Sequence, residues 1–247
     1  MKKLFYLTLF IFAGTLFADT PSGETVLKKV DQNYYSDTRI SVTSMVIKGQ
    51  RATRTIEAKS WGKGYKTAYT EYLAPPREKG TKMLKINNEL WMYTPSTDRI
   101  IAIAGHMLRQ SLMGSDISYE DFMEDPQLNH SYNAKVSGEE NIDGRKCYVL
   151  DLTAKIEDIS YYARKMWVDE ERYVPLKEDL IAKSGRLLKT IRLNEVQKIG
   201  ERWYPKRILF KDVLQSGDGT EIIIKSIQFN VNIPNYVFSK ASLKQSN

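Results

Sequence analysis

After Asp37 the sequence changes period. From there it is a series of short alternating or apolar runs, set about ten residues apart and divided by turn signals. The runs fall at residues 39–48, 53–60, 65–73, 82–86, 89–93 and 99–104. They resume at 131–138, 146–154, 162–169, 174–182, 187–196, 203–214 and 221–231. Between them stand Trp61-Gly62-Lys63-Gly64, Pro75-Pro76, Asn87-Asn88, Asp143-Gly144, Ser184-Gly185 and Gly217-Asp218-Gly219, residues that favour tight turns. About a dozen strands joined by short hairpins predict a mainly β protein, an antiparallel meander that curls into a sandwich or a barrel. Only residues 24–35 carry a clear helical pattern, with Val26, Leu27, Val30 and Tyr34 on one stripe and Ser22 as a cap. No Pro/Gly/Ser-rich linker divides the chain, so one domain is expected. The alternative is two smaller β domains meeting near residue 128.

The amino terminus has a different character. Met1-Lys2-Lys3 precedes a fourteen-residue apolar run, residues 4–17, and Ala18 precedes a polar stretch. This is the layout of a secretory signal peptide, and the run is short for a membrane span of about twenty residues. An uncleaved anchor is the alternative. No Cys follows the run, so a lipid anchor of the bacterial lipoprotein kind is not expected. Removing residues 1–18 leaves 229 residues and takes away two lysines, lowering the net charge from +7 to +5. That charge is spread along the chain, and nothing in it suggests nucleic acid. The single Cys and two His exclude a disulfide framework and any Cys-rich or multi-histidine metal centre. No cofactor motif is present, and Cys147, in an apolar strand, is expected to be a buried inert thiol.

Residues 105–126 break the strand rhythm. They carry Met107, Met113 and Met123 together with Leu108, Leu112, Ile117 and Phe122. Methionine adapts to irregular partners, so a Met-rich segment can cover an apolar ligand. Ser118-x-x-Asp121 has the form of a capping box before a short helix ending at Pro126. One reading is a lid over an apolar cavity; the other is a loop that merely packs on the sheet. His106, Ser111, Ser115 and Asp116 invite a hydrolase reading, but neither Ser lies in a G-x-S-x-G elbow. Glu120-Asp121 and Glu124-Asp125 lack EF-hand spacing. Residues 90–93, 100–101 and 222–224 are apolar on both strand faces, which requires apolar cover on each side.

Residues 72–122 resemble the outer-membrane lipoprotein-sorting proteins, larger relatives of the periplasmic carrier LolA. The resemblance rests on Pro75-Pro76, Lys79-Gly80-Thr81, Leu90-Trp91-Met92-Tyr93-Thr94-Pro95 and Arg99. It rests above all on Met113-Gly114-Ser115-Asp116-Ile117-Ser118-Tyr119-Glu120-Asp121-Phe122. Arg164-Lys165-Met166-Trp167-Val168-Asp169 and Tyr173-Val174-Pro175-Leu176-Lys177 extend it into the second half. It implies an incomplete antiparallel β-barrel of about eleven strands over residues 19–247, with an N-terminal helix and a short helical lid over an apolar cavity. It also implies a monomeric periplasmic carrier of the acyl chains of a lipoprotein or lipid, with an inner-membrane transporter as a further partner. A lipid-sensing regulator or transporter accessory is the alternative function, and a lipid esterase a third. The expected cavity and lid residues are Trp91, Tyr93, Ile101, Met107, Leu108, Leu112, Met113, Phe122, Met123 and Trp167. The expected motif loop comprises Gly114, Ser115, Asp116, Ser118, Tyr119, Glu120 and Asp121.

Overall fold

Ser22 starts the longest helix of the described chain. Its side chain accepts the Thr25 amide, and α1 follows over Gly23–Tyr34. The computed structural model describes residues 20–157 and 159–245. The signal peptide expected at residues 1–18 lies outside the described residues. Val26, Leu27 and Val30 form the buried stripe of α1. Gly23 touches backbone: a Cβ there would lie 2.3 Å from the Ala134 carbonyl oxygen, so this end of the helix sits directly on a strand.

Each alternating run becomes a separate strand. The first meander is β1 (Thr38–Lys48), β2 (Thr53–Lys63), β3 (Thr67–Ala74), β4 (Lys82–Ile86), β5 (Glu89–Thr94) and β6 (Arg99–Ala102). A connection follows, made of 3₁₀ turns at Gly105–Arg109 and Leu112–Gly114 and of helices α2 (Tyr119–Met123) and α3 (Leu128–Ser131). The second meander is β7 (Tyr132–Ile142), β8 (Arg145–Ala154), β9 (Ala163–Asp169), β10 (Pro175–Ile181), β11 (Leu187–Ile199), β12 (Arg202–Asp212) and β13 (Gly219–Phe229). All pairings between neighbours are antiparallel, and β1 pairs with β13 from Arg39↔Phe229 to Lys48↔Gly219. One 13-stranded sheet results, in the order β6-β5-β4-β3-β2-β1-β13-β12-β11-β10-β9-β8-β7. It is not closed: β6 and β7 are its edges, as in an incomplete barrel. Among the described residues the strands number thirteen where about eleven were implied, and the two meanders share one sheet.

The two faces are covered differently. On the inner face, Met45, Ile47, Ile56, Ala58, Tyr72, Met83 and Leu90 pack with Ile103, Leu112, Ile117 and Tyr119 from the connection. Further round, Ala134, Leu150, Leu152, Met166 and Val168 pack against α1 and Leu128. On the outer face, Tyr69, Leu84 and Trp91 pack with the C-terminal segment through Val237, Phe238 and Leu243.

Two local expectations are corrected. Trp61-Gly62-Lys63 belongs to β2 and pairs with β3, so the turn is Gly64 to Lys66. Gly64 takes the positive φ that the turn needs. The polar end of the sequence from Lys240 reads by itself as a frayed terminus, yet it forms a 3₁₀ turn at Lys240–Leu243. Leu243 is fully buried there, and the Lys240 ammonium lies 3.8 Å from the centre of the Trp91 ring. Leu243→Ala should lower the unfolding free energy by about 2–4 kcal/mol in urea titrations, the usual cost of emptying a buried leucine site. A change below about 0.5 kcal/mol would mean that the tail does not seal the outer face.

Candidate functional site

The connection between the meanders lies on the inner face as a lid. Its underside is apolar: Leu112, Ile117 and Tyr119 are buried, and Met107, Leu108, Met113, Phe122 and Met123 pack half-buried against the same cluster. The apolar space expected beneath the lid is thus taken up by the lid's own side chains. A cleft of about 890 Å³ opens beside it, lined in part by Met123, Glu124, Tyr161, Leu188, Lys189 and Leu214.

The motif loop sets the shape of the lid. Met113 and Gly114 both have positive φ, which reverses the chain. Ser115 is fully buried, and its hydroxyl donates to the Leu112 carbonyl at 2.6 Å and also bonds Ile117. Asp116 accepts the Thr220 hydroxyl at 2.8 Å and the Asp212 amide at 3.0 Å, tying the loop to β13 and β12. The capping box forms as read: Ser118 accepts the Asp121 amide while Asp121 accepts the Ser118 amide at 2.6 Å. The helix it starts ends at Met123, short of Pro126. His106 lies on the Gly105–Arg109 turn, whereas the Ser115 hydroxyl is committed to backbone, so the hydrolase reading gains no nucleophile–base pair from Ser115.

Polar contacts pin the lid around its margin. Arg54 donates to the Met113 carbonyl at 2.7 Å, and Lys85 to the Met123 carbonyl at 2.9 Å. Asp121 pairs with Lys189 of β11 and accepts the Tyr161 hydroxyl at 2.5 Å. Glu124 pairs with Arg164 of β9, which also reaches Glu178 of β10 at 3.4 Å. Arg164, Glu178 and Lys189 are all buried. Burial opposes the charge on Arg164, but Glu124, Tyr132 and Glu178 outweigh it and keep the guanidinium strongly basic. Burial pushes the Glu178 carboxyl up, against the pull of Arg164. Burial also lowers Lys85 to about 8.

The strand residues expected to line the cavity lie elsewhere. In β5, Leu90 and Met92 face the lid, so Trp91 and Tyr93 point to the outer face beside the C-terminal segment. Trp167 is also outside, in the cluster with Cys147, Val149 and Leu176. It donates to Glu140 at 2.7 Å and stacks under Lys177 at 3.8 Å. Ile101 pairs with Met92 at the β6 edge and is 39% exposed. The residues beneath the lid, Met45, Ile56, Tyr72, Met83 and Leu90, are not among the cavity residues that the resemblance implies. Alternation counted from the lid-facing residues of each hairpin would have found them. Arg164, Glu178 and Lys189 were missed because their partners lie in distant segments. Cys147 is buried as expected, and burial raises its thiol to about 11.

A family model described only as "Uncharacterized protein" matches residues 64–245. The chain belongs to that family. Three solved structures share its fold. A DUF1329 family protein from Desulfovibrio piger superposes with a TM-score of 0.83 at 24% identity, covering 90% of this chain and 98% of that one. A putative outer membrane lipoprotein-sorting protein domain from Vibrio parahaemolyticus gives 0.78 at 20% identity, covering 90% and 98%. A LolA superfamily protein from Nitrosomonas europaea gives 0.75 at 24% identity, covering 90% and 100%. The chain therefore shares the fold of these three proteins. An uncharacterized protein of Methanocaldococcus jannaschii is 23% identical over 255 residues, covering 95% of this chain and 68% of that protein. In this frame helix α1 and the lid share the inner face, and the motif loop ties the lid to β12 and β13.

Two predictions follow from the anchoring. Asp116→Ala leaves the Asp212 amide and the buried Thr220 hydroxyl without their acceptor. It should destabilise the protein by about 2–3 kcal/mol in urea titrations, whereas a cost under about 0.5 kcal/mol would deny the loop this anchoring role. Asp31 of α1 accepts the amides of Leu128 and Asn129 at 3.1 and 3.0 Å, fixing the end of the lid connection. Burial raises its carboxyl from 3.8 to about 6. The folded protein then holds a proton that the unfolded chain has released between those values. The stability from this group is present below pH 4 and is lost as the pH rises through 6. Relative to Asp31→Ala, the native protein should lose on the order of 2 kcal/mol between pH 4 and 7, and parallel pH profiles for the two would sink the assignment.

Proposed function

We propose that this protein is an exported carrier for acyl chains, of a lipoprotein or a lipid, with residues 1–18 as its signal peptide and residues 19–247 as the carrier domain. The observation that carries the reading is the lid. Its apolar underside rests on the inner face of an open sheet, and polar contacts from Arg54, Lys85, Arg164 and Lys189 hold its margin. Such a segment can be exchanged for another apolar body of similar width. An acyl chain gains about 0.8 kcal/mol per buried CH₂, and that gain works against the loss of lid contacts. The Met side chains then repack on either partner at little cost. The likeness of the fold to a lipoprotein-sorting protein domain and a LolA superfamily protein supports this reading, as does the signal-like layout of residues 1–18, and we read the protein as a monomer working in the periplasm.

A second reading is an accessory of an inner-membrane transporter. Ile156, Leu187, Val213 and Leu214 are exposed in or next to the β8–β9, β10–β11 and β12–β13 connections, and Ile156 and Leu214 line the cleft. An apolar rim of that kind suits a membrane-bound partner.

Protein purified from its native compartment should carry lipid adducts in native mass spectra. It should also bind a fluorescent fatty acid saturably, with displacement by unlabelled oleate. Lipid-free protein that shows no displaceable probe binding would overturn the carrier reading.

A further inference from the structure

The lid resembles the ligand it would give way to. Helix α2 turns Tyr119 and Phe122 to the apolar inner face, while its Asp121 and the following Glu124 meet the cations of the second meander. The connection is thus an apolar body with carboxylates along one side, lodged in the sheet. We propose that Arg164 and Lys189, with Lys85 beside them, form the headgroup site for an anionic amphiphile, an acyl chain that ends in a phosphate or carboxylate. The inference rests on the carrier reading and names its ligand class.

The charge balance leads there. With the lid seated, Asp121 neutralises Lys189, and Glu124 and Glu178 share Arg164. A lid that lifts takes Asp121 and Glu124 with it and removes the carbonyls of Met123 and Glu124 from Lys85. Glu178 is then the one acid left among the three cations that these contacts describe. An uncharged chain in that space would leave buried positive charge without a counter-charge, which is strongly unfavourable. An anionic headgroup restores the balance and the hydrogen bonds together.

Two further observations point into the same place. Arg164 is 4% exposed, yet its Nε has no hydrogen-bond partner, so the guanidinium keeps a donor free for another oxygen. The cleft beside the lid reaches Lys189, Glu124 and Tyr161, which gives a headgroup a route to the cations. Tyr132 and Tyr161 lie under Arg164 at 5.1 and 5.4 Å and fix its plane.

The test compares oleoyl lysophosphatidic acid with mono-olein, each below its aggregation concentration, by displacement of a fluorescent fatty acid from the full-length mature protein. The anionic lipid should bind at least tenfold more tightly, and Lys189→Gln should narrow the ratio to threefold or less. If that variant does not fold, as judged by circular dichroism, the ratio for the native protein decides. Inorganic phosphate at the same concentrations should displace nothing. Equal affinity for the two lipids would overturn the headgroup site and leave the carrier reading intact. Displacement by inorganic phosphate alone would overturn it in favour of a free-anion site. Binding of neither lipid would remove both proposals.

Discussion

An open sheet with an apolar inner face must be covered, and the way this one is covered governs the rest of the molecule. Over the second meander the cover is α1, whose Val26 and Leu27 are fully buried and whose Gly23 sits against the backbone of β7. That contact is close-packed and cannot loosen without opening voids. Over the first meander the cover is the connection 105–131, with half-buried methionines and a rim of polar contacts. One half of the inner face is sealed by packing and the other by an adaptable flap.

The flap is positioned by charge as well as by burial. The pairs Asp121–Lys189 and Glu124–Arg164 are largely withdrawn from water. Buried pairs of this sort add little net stability, because desolvation offsets the attraction, but removing one partner is severely unfavourable. They therefore act mainly as selectors: the lid has one seating in which every charge is met. The capping box reinforces this, since Asp121 serves the helix start and Lys189 at once.

The strand pattern was legible because hairpin turns announce themselves locally. Asn87-Asn88 and Asp143-Gly144 stand between strands where the sequence put them. The capping box at Ser118 was legible for the same reason, as all its parts lie within four residues. The lid stretch was visible as a loss of alternation. Which face a strand residue takes was not visible, because 90–93 is apolar throughout and gives no alternation to separate Leu90 from Trp91. The buried charges were hidden by distance: Glu124 and Arg164 stand forty residues apart, and nothing in either neighbourhood marks the other. The tail misled because a short polar-looking end gives no hint that Leu243 fills a site on the outer face.

The pairing of the first strand with the last also bears on the order of assembly. β1 is made early, and its partner β13 is made last, after every other strand. Contacts so far apart in the chain form slowly, because a long loop must close before they are rewarded. Until then the first meander presents β1 as a bare edge, open to mispairing with other chains. That strand carries Met45 and Ile47, which in the finished fold belong to the inner-face cluster beneath the lid. A chain of this design depends on reaching residue 229 before its early half meets a neighbour.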